Sequence, residues 1–172
     1  MLCALFEEEG QARVVLTRRA QHLRAHRGEV AFPGGRLEPG EDDWTAARRE
    51  AFEEVGLDLQ APQLEGWLQP LVTASSTAYI IPLVASLPGR PQLVANPNEV
   101  ERIFDLALVD LVAPGVHHEE RWLIGDRPRM ESDDGRFPLH FFNVAGETIW
   151  GATARLLTEL CSLSLGLDPR RS

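Results

Sequence analysis

Residues 34–57 read GGRLEPGEDDWTAARREAFEEVGL, and the rest of the chain is best understood outward from them. At 100° per residue Ala47, Ala51 and Val55 share one face, with Trp44 and Phe52 near it, while Glu50, Glu53 and Glu54 gather on another. This periodicity predicts a helix from about Asp43 to Val55. Asp42 or Asp43 supplies the N-terminal cap, and Gly56 suits the left-handed residue that ends a helix. One side should pack and the other should present carboxylates. Like charges at i, i+3 and i+4 destabilise an isolated helix by a few tenths of a kcal/mol. A solvated surface tolerates that repulsion; a bound cation removes it. The surroundings favour the cation, because Gly34-Gly35 precede the helix, Glu41 stands at its entrance and Arg49 comes immediately before Glu50. Hard oxygen donors with no lysine nearby suit Mg²⁺ or Mn²⁺.

Upstream, residues 2–6, 13–17 and 29–32 read as short strands, with a turn at Glu7-Glu8-Glu9-Gly10 and a stop at Pro33-Gly34-Gly35. Downstream, strands are expected over about 63–71, 79–87 and 103–108, a helical turn over 109–112, and strand with hairpin over 119–142. A closing helix is expected from about 148 to 163, carrying Ile149, Ala152, Leu156, Leu157 and Leu160 at helical spacing. With neither repeat nor linker, 172 residues make one well-cored α/β domain with a mixed sheet the economical expectation.

Charge narrows the chemistry. The net charge is −9, and all 17 basic residues are arginine. The acidic balance leaves no general basic footprint for nucleic acid, and without lysine Schiff-base chemistry and a P-loop are excluded. An anionic small-molecule substrate must be held by arginine, backbone amides or metal. Apolar runs fall short of the roughly 20 residues needed to span a bilayer, and the first residues lack a signal-peptide pattern, so no membrane association and a cytoplasmic protein are expected. Cys3 and Cys161 form no metal or disulfide pattern. A homodimer is left open.

Gly35, Glu41 and then Arg49-Glu50-Ala51-Phe52-Glu53-Glu54-Val55-Gly56-Leu57 match the Nudix box, G-x5-E-x7-R-E-U-x-E-E-x-G-U, at all seven fixed positions over residues 35–57. Ala51 is the soft departure, where a larger aliphatic residue is usual. The chain therefore resembles the Nudix hydrolases. The resemblance implies an α/β/α sandwich with a central mixed sheet and a divalent-metal site. Glu50 and Glu54 resemble the principal metal ligands, Glu53 a further ligand or water-activating base, and Gly34, through its carbonyl, a weaker ligand. Arg49 and Glu41 resemble the orienting ion pair. The physical need is plain: a pyrophosphate repels hydroxide through its own anionic oxygens, and a metal screens that charge and lowers the pKa of bound water from about 15.7 toward neutrality.

Val15-Leu16-Thr17-Arg18-Arg19-Ala20, Arg24, Gly28 and Phe32-Pro33-Gly34-Gly35 resemble a second pattern, L-L-T-x-R-[SA]-x3-R-x3-G-x3-F-P-G-G. It marks the coenzyme A pyrophosphatase branch, with Val15 in place of a leucine. Weaker echoes continue over 73–85, 96–100 and 149–154; Ala107 replaces an expected proline. The implied reaction is hydrolysis of the pyrophosphate bond of coenzyme A or its thioesters. Arg18, Arg19, Arg24 and Arg27, with His26, form the densest basic stretch and are the candidate substrate clamp. ADP-ribose or another nucleoside diphosphate derivative is the alternative substrate, and a non-catalytic nucleotide-binding module is a second rival.

Other polar residues point less sharply. On a strand the neighbours His117 and His118 should face opposite ways and belong to solvent or a loop. Glu99 reads as structural or as a late carboxylate of the metal site. Thr73, Ser75, Ser76 and Thr77 are candidates to line a cleft, and Trp150 is expected to pack the last helix.

Overall fold

Alternating side chains of the first two strands build both faces of the main sheet. The computed structural model describes residues 1–59, 63–73, 78–123 and 136–167. In it β1 (Leu2–Glu8) turns through Glu9-Gly10 and returns antiparallel as β2 (Gln11–Arg19). Because successive residues point to opposite faces, Leu2, Ala4 and Phe6 enter one buried cluster while Cys3 and Leu5 pack with another. Strand β2 also pairs antiparallel with β3 (Val30–Ala31) and with β8 (Val100–Ala107). Strand β1 runs parallel to β7 (Leu83–Ser86), which is antiparallel to β4 (Gln63–Trp67). One parallel pairing among antiparallel ones makes the sheet mixed, as expected.

Helix α1 (Asp43–Val55) covers one face, burying Ala47, Ala51 and Val55 with Leu2, Ala4, Phe6, Val15, Leu83 and Ala85. On the other face Cys3, Val14, Leu16 and Val84 meet Leu156, Leu157 and Leu160 of α3 (Gly151–Ser164). Phe142 and Ile149 join this second core from a three-stranded antiparallel sheet of β9 (His117–Trp122), β10 (Phe137–Val144) and β11 (Glu147–Trp150). The layering is α/β/α, as expected. A hairpin of β5 (Leu71–Val72) and β6 (Tyr79–Ile80) and a short α2 (Leu108–Leu111) complete the described elements. Among the described residues, no helix is long and apolar enough to cross a membrane.

Three expectations need correction. The strands expected over 63–71 and 79–87 each break in two, near Pro70 and Pro82, which lack the N–H a ladder requires. Residues 148–150 open no helix; they end β11. A two-residue turn at Ala145 and Gly146, with φ of 53° and 77°, folds Val144 back onto Glu147. Two positive φ values define a hairpin turn that matches strand twist, and alanine there gives no warning of it. Phe52, expected near the packed face of α1, is 61% exposed. Between β9 and β10, residues 124–135 of the expected hairpin lie outside the described residues, as do Ser75, Ser76 and Thr77.

Candidate functional site

Local chemistry fixes both ends of α1. Asp42 Oδ1 accepts the Thr45 N–H at 2.7 Å, satisfying a first-turn donor. At the other end Gly56, with φ 67°, donates to Phe52 O, and Leu57 N reaches Ala51 O, the paired bonds of a Schellman ending. The helix ends where the sequence places them, so its carboxylates are presented in a known register.

Arg49 organises that surface. Its guanidinium donates to both carboxylate oxygens of Glu41, at 2.8 and 3.0 Å. It also donates to Glu50 at 3.0 Å, to Glu53 at 3.1 Å and to the Arg36 carbonyl at 2.9 Å. Hydrogen bonding by Arg49 holds the Glu41 carboxyl below its usual range, and the same bond is the first cause of the upward shift of Arg49. The expected ion pair between Arg49 and Glu41 is therefore present, and it also reaches two of the three helix carboxylates.

Glycine at 34 and 35 lets the preceding segment lie on those carboxylates. A Cβ at Gly35 would sit 2.3 Å from the Glu50 carboxyl carbon, and one at Gly34, whose φ is 143°, would meet Met1 Cα at 2.6 Å. The Gly34 N–H donates to Glu54 at 2.9 Å. What ties Gly34 to the cluster is its amide hydrogen.

Glu54 departs most from expectation. Predicted on an open face, it is only 3% exposed. Burial pushes its carboxyl up to about 7; the Gly34 amide and the Arg19 charge oppose the shift, while Glu50 and Glu99 add to it. Glu99 is thus close enough to act on the site electrostatically. Glu50 is largely covered and Glu53 about half open, with side-chain exposures of 15% and 49%.

The basic stretch divides. Arg18 donates to Glu147, which is buried and also receives Arg102 at 3.1 Å. That arrangement ties β2 and β8 to β11, and Arg18 is committed to it. Arg19 points instead to α1, its Nη1 lying 3.6 Å from Glu54 Oε1. Arg24 and Arg27 are exposed in the segment joining β2 to β3, with no ion-pair partner among the described residues. His26 beside them pairs with Glu29 at 2.9 Å. The four arginines proposed as one clamp are therefore two internal partners and two open cations. Glu147 and Arg102 were missed, and nothing local in the sequence marks them.

Elsewhere, His117 and His118 do face opposite ways: His117 lies 3.1 Å from the His140 ring nitrogen, and His118 stacks on Phe141. Trp150 precedes the last helix and does not lie on it. It ends β11, cross-strand from Phe141, and is 42% exposed. Thr73 closes the β5–β6 hairpin, its hydroxyl accepting the Ala78 N–H.

Three glutamates on one helix face, one of them buried with a single hydrogen bond among the described residues, are a donor set that fits a hard divalent cation. As they stand, Glu50 and Glu53 are turned to Arg49 and Glu54 to Gly34. Among the described residues no three histidine, cysteine or carboxylate groups are arranged as a metal-holding cluster.

Comparison with known proteins gives consistent results. The family model described as the NUDIX domain matches residues 1–124. Nudix hydrolase 3 of Caenorhabditis elegans is 36% identical over 115 residues, covering 65% of this chain and 48% of that protein. The chain thus spans about half the length of that relative. The Nudix hydrolase NudL of Photorhabdus laumondii is 36% identical over 149 residues, covering 86% of this chain and 74% of that one. Among solved structures, a C. elegans Ap4A hydrolase in a binary complex superposes with a TM-score of 0.55 at 20% identity, covering 64% of this chain and 80% of its own. At that identity the likeness speaks to the fold.

Proposed function

The chain belongs to the NUDIX family, and from that premise we propose that it is a divalent-cation-dependent hydrolase of coenzyme A and its thioesters. Water would add across the pyrophosphate bond to give 4′-phosphopantetheine, or its acyl form, and 3′,5′-ADP. The observation that carries the catalytic part is that Arg49 holds Glu50 and Glu53 on one face of α1 while the Gly34-Gly35 turn lies against Glu50 and Glu54 of the same face. The substrate is supported by the pattern running unbroken from residue 15 through the box.

In this reading Glu50 and Glu54, with Glu53 and the Gly34 carbonyl as further candidates, would hold Mg²⁺ or Mn²⁺. When bound, the cation supplies charge screening for the phosphate oxygens and acidifies water. The protein's own groups do the rest. Glu41 fixes the Arg49 guanidinium, which holds the Glu50 and Glu53 carboxylates in place. Glu53, the most open of the three, would take a proton at its carboxylate from attacking water. Arg24 and Arg27, exposed and without an ion-pair partner among the described residues, would be available to meet a phosphate. All four box glutamates are present, which favours an enzyme over a binding module.

Arg49→Ala should lower kcat or metal affinity by roughly 10- to 100-fold, the range for residues that orient metal ligands. Apparent substrate affinity should change less. Steady-state kinetics with Mg²⁺ titrations check this; a raised KM at unchanged kcat would instead put Arg49 on the substrate.

The substrate itself is tested by product analysis with coenzyme A and Mg²⁺. Dephospho-coenzyme A should be poorer by on the order of 10- to 100-fold, because a charge-assisted contact contributes about 1.5–3 kcal/mol. Arg24→Ala or Arg27→Ala should erase most of that difference while sparing ADP-ribose hydrolysis. Equal kcat/KM for coenzyme A and its dephospho form would favour the second reading, a pyrophosphatase for ADP-ribose or a related nucleoside diphosphate.

A further inference from the structure

The unusual feature of Arg19 is how firmly its backbone is held and how loosely its charge is matched. Its N–H donates to Glu29 O at 2.9 Å, its carbonyl accepts from Gly28 N at 3.0 Å, and the next amide, Ala20, donates to Glu99 O at 2.9 Å. From this fixed base the side chain crosses to α1 and stops with Nη1 3.6 Å from Glu54 Oε1, an ion-pair distance too long for a good hydrogen bond. Among the described residues its buried Nε–H has no partner. Glu54 is equally under-satisfied: at 3% exposure its partners among the described residues are one hydrogen bond, from Gly34, and this one loosely held cation. The contrast with Arg49 is direct, since that guanidinium grips Glu41 through two bonds at 2.8 and 3.0 Å. A buried carboxylate needs a cation, and an incompletely hydrogen-bonded pair is the one that exchanges.

We propose that Arg19 is the resident counter-cation of Glu54 in the metal-free site, and that a divalent cation must displace its guanidinium to bind. The inference rests on the reading of Glu54 as a cation-holding carboxylate. The released guanidinium, with a planar set of donors and an Nε–H already unpartnered, is then available to a phosphate oxygen of the substrate. Cation and pyrophosphate would therefore enter in that order. Arg19 acts as a positioning residue for the metal site, a role distinct from gripping a phosphate throughout.

Calorimetric titration of the full chain with Mg²⁺ tests this. Arg19→Gln removes the competing charge and keeps N–H donors. It should bind Mg²⁺ about tenfold more tightly, on the scale of one like charge removed from a desolvated site, while KM for coenzyme A rises. A merely structural loss would weaken both. Arg19→Lys restores the charge and should return the Mg²⁺ affinity to that of the parent. Unchanged or weaker Mg²⁺ binding by folded Arg19→Gln overturns the proposal. Should that variant not fold, the Arg19 Nε–H resonance of the ¹⁵N-labelled parent must move on saturation with Mg²⁺; a silent resonance is equally fatal. Tighter Mg²⁺ binding by the variant, in a chain that hydrolyses neither coenzyme A nor ADP-ribose, would sustain the counter-cation and sink the proposed hydrolysis. Turnover by the parent with no change in Mg²⁺ affinity would do the reverse.

Discussion

Glu54→Gln is expected to lower kcat for coenzyme A by about three orders of magnitude, equivalent to about 4 kcal/mol of transition-state stabilisation, while the chain stays folded. The amide keeps the shape of the carboxylate and still accepts the Gly34 N–H, so the turn before α1 has no reason to move. What disappears is the negative charge, the property that would hold a divalent cation beside the anionic pyrophosphate. Loss of a catalytic metal's charge stabilisation removes several kcal/mol. Glu50→Gln should behave alike, because Glu50 lies against Gly35 and is held by Arg49. Steady-state turnover at saturating Mg²⁺, with circular dichroism to confirm folding, measures the effect. Near-normal turnover in either variant would remove that residue from the metal site.

How far the sequence foretold these roles depended on whether the signal was local. The ends of α1 were legible because a cap and a left-handed glycine act within four residues of themselves. So was the link between Arg49 and the carboxylates, since i and i+4 positions meet on any helix. The strands β1 and β2 were legible as short apolar runs, but a run apolar at every position does not tell that Leu2, Ala4 and Phe6 enter one core and Cys3 and Leu5 the other. Glu54 misled because helical geometry tells which residues share a face and not where the covered face ends. The segment around Gly34 folds over α1 and buries a residue that the wheel leaves in the open. The arginine cluster misled for the complementary reason. Neighbours on a strand point to opposite sides, so Arg18 reaches Glu147, 129 residues on, and Arg19 reaches Glu54. Adjacency in the chain suggested one clamp, whereas the pleat separates its members. The start of the last helix was misplaced with the turn at Ala145-Gly146: once those residues reverse the chain, residues 147–150 form a strand whose Ile149 is fully buried while Trp150 is 42% exposed.

Burial of Glu54 should also make the metal-free protein less stable as pH rises. Its folded pKa is raised from 4.5 to about 7, first by desolvation. The unfolded chain therefore loses this proton more readily than the folded one. Stability from the protonated carboxyl is fully present below pH 4.5 and is lost as pH rises through about 7. A shift of that size corresponds to about 3 kcal/mol. Glu54→Gln has no proton to lose at this position, so it should escape the loss. Relative to the parent, the variant should gain about 3 kcal/mol between pH 4 and pH 8. Other titrating groups are common to both chains and cancel in that difference. Urea denaturation in chelator across this range gives the measurement. Saturating Mg²⁺ should shift the difference at pH 8 back toward the parent, because a ligand that binds the folded parent more tightly adds stability by mass action. The same carboxylate would then weaken the empty protein and strengthen the loaded one. A parent-to-variant difference that stays flat from pH 4 to pH 8 would mean that Glu54 remains hydrated, and would remove burial as the source of its poised charge.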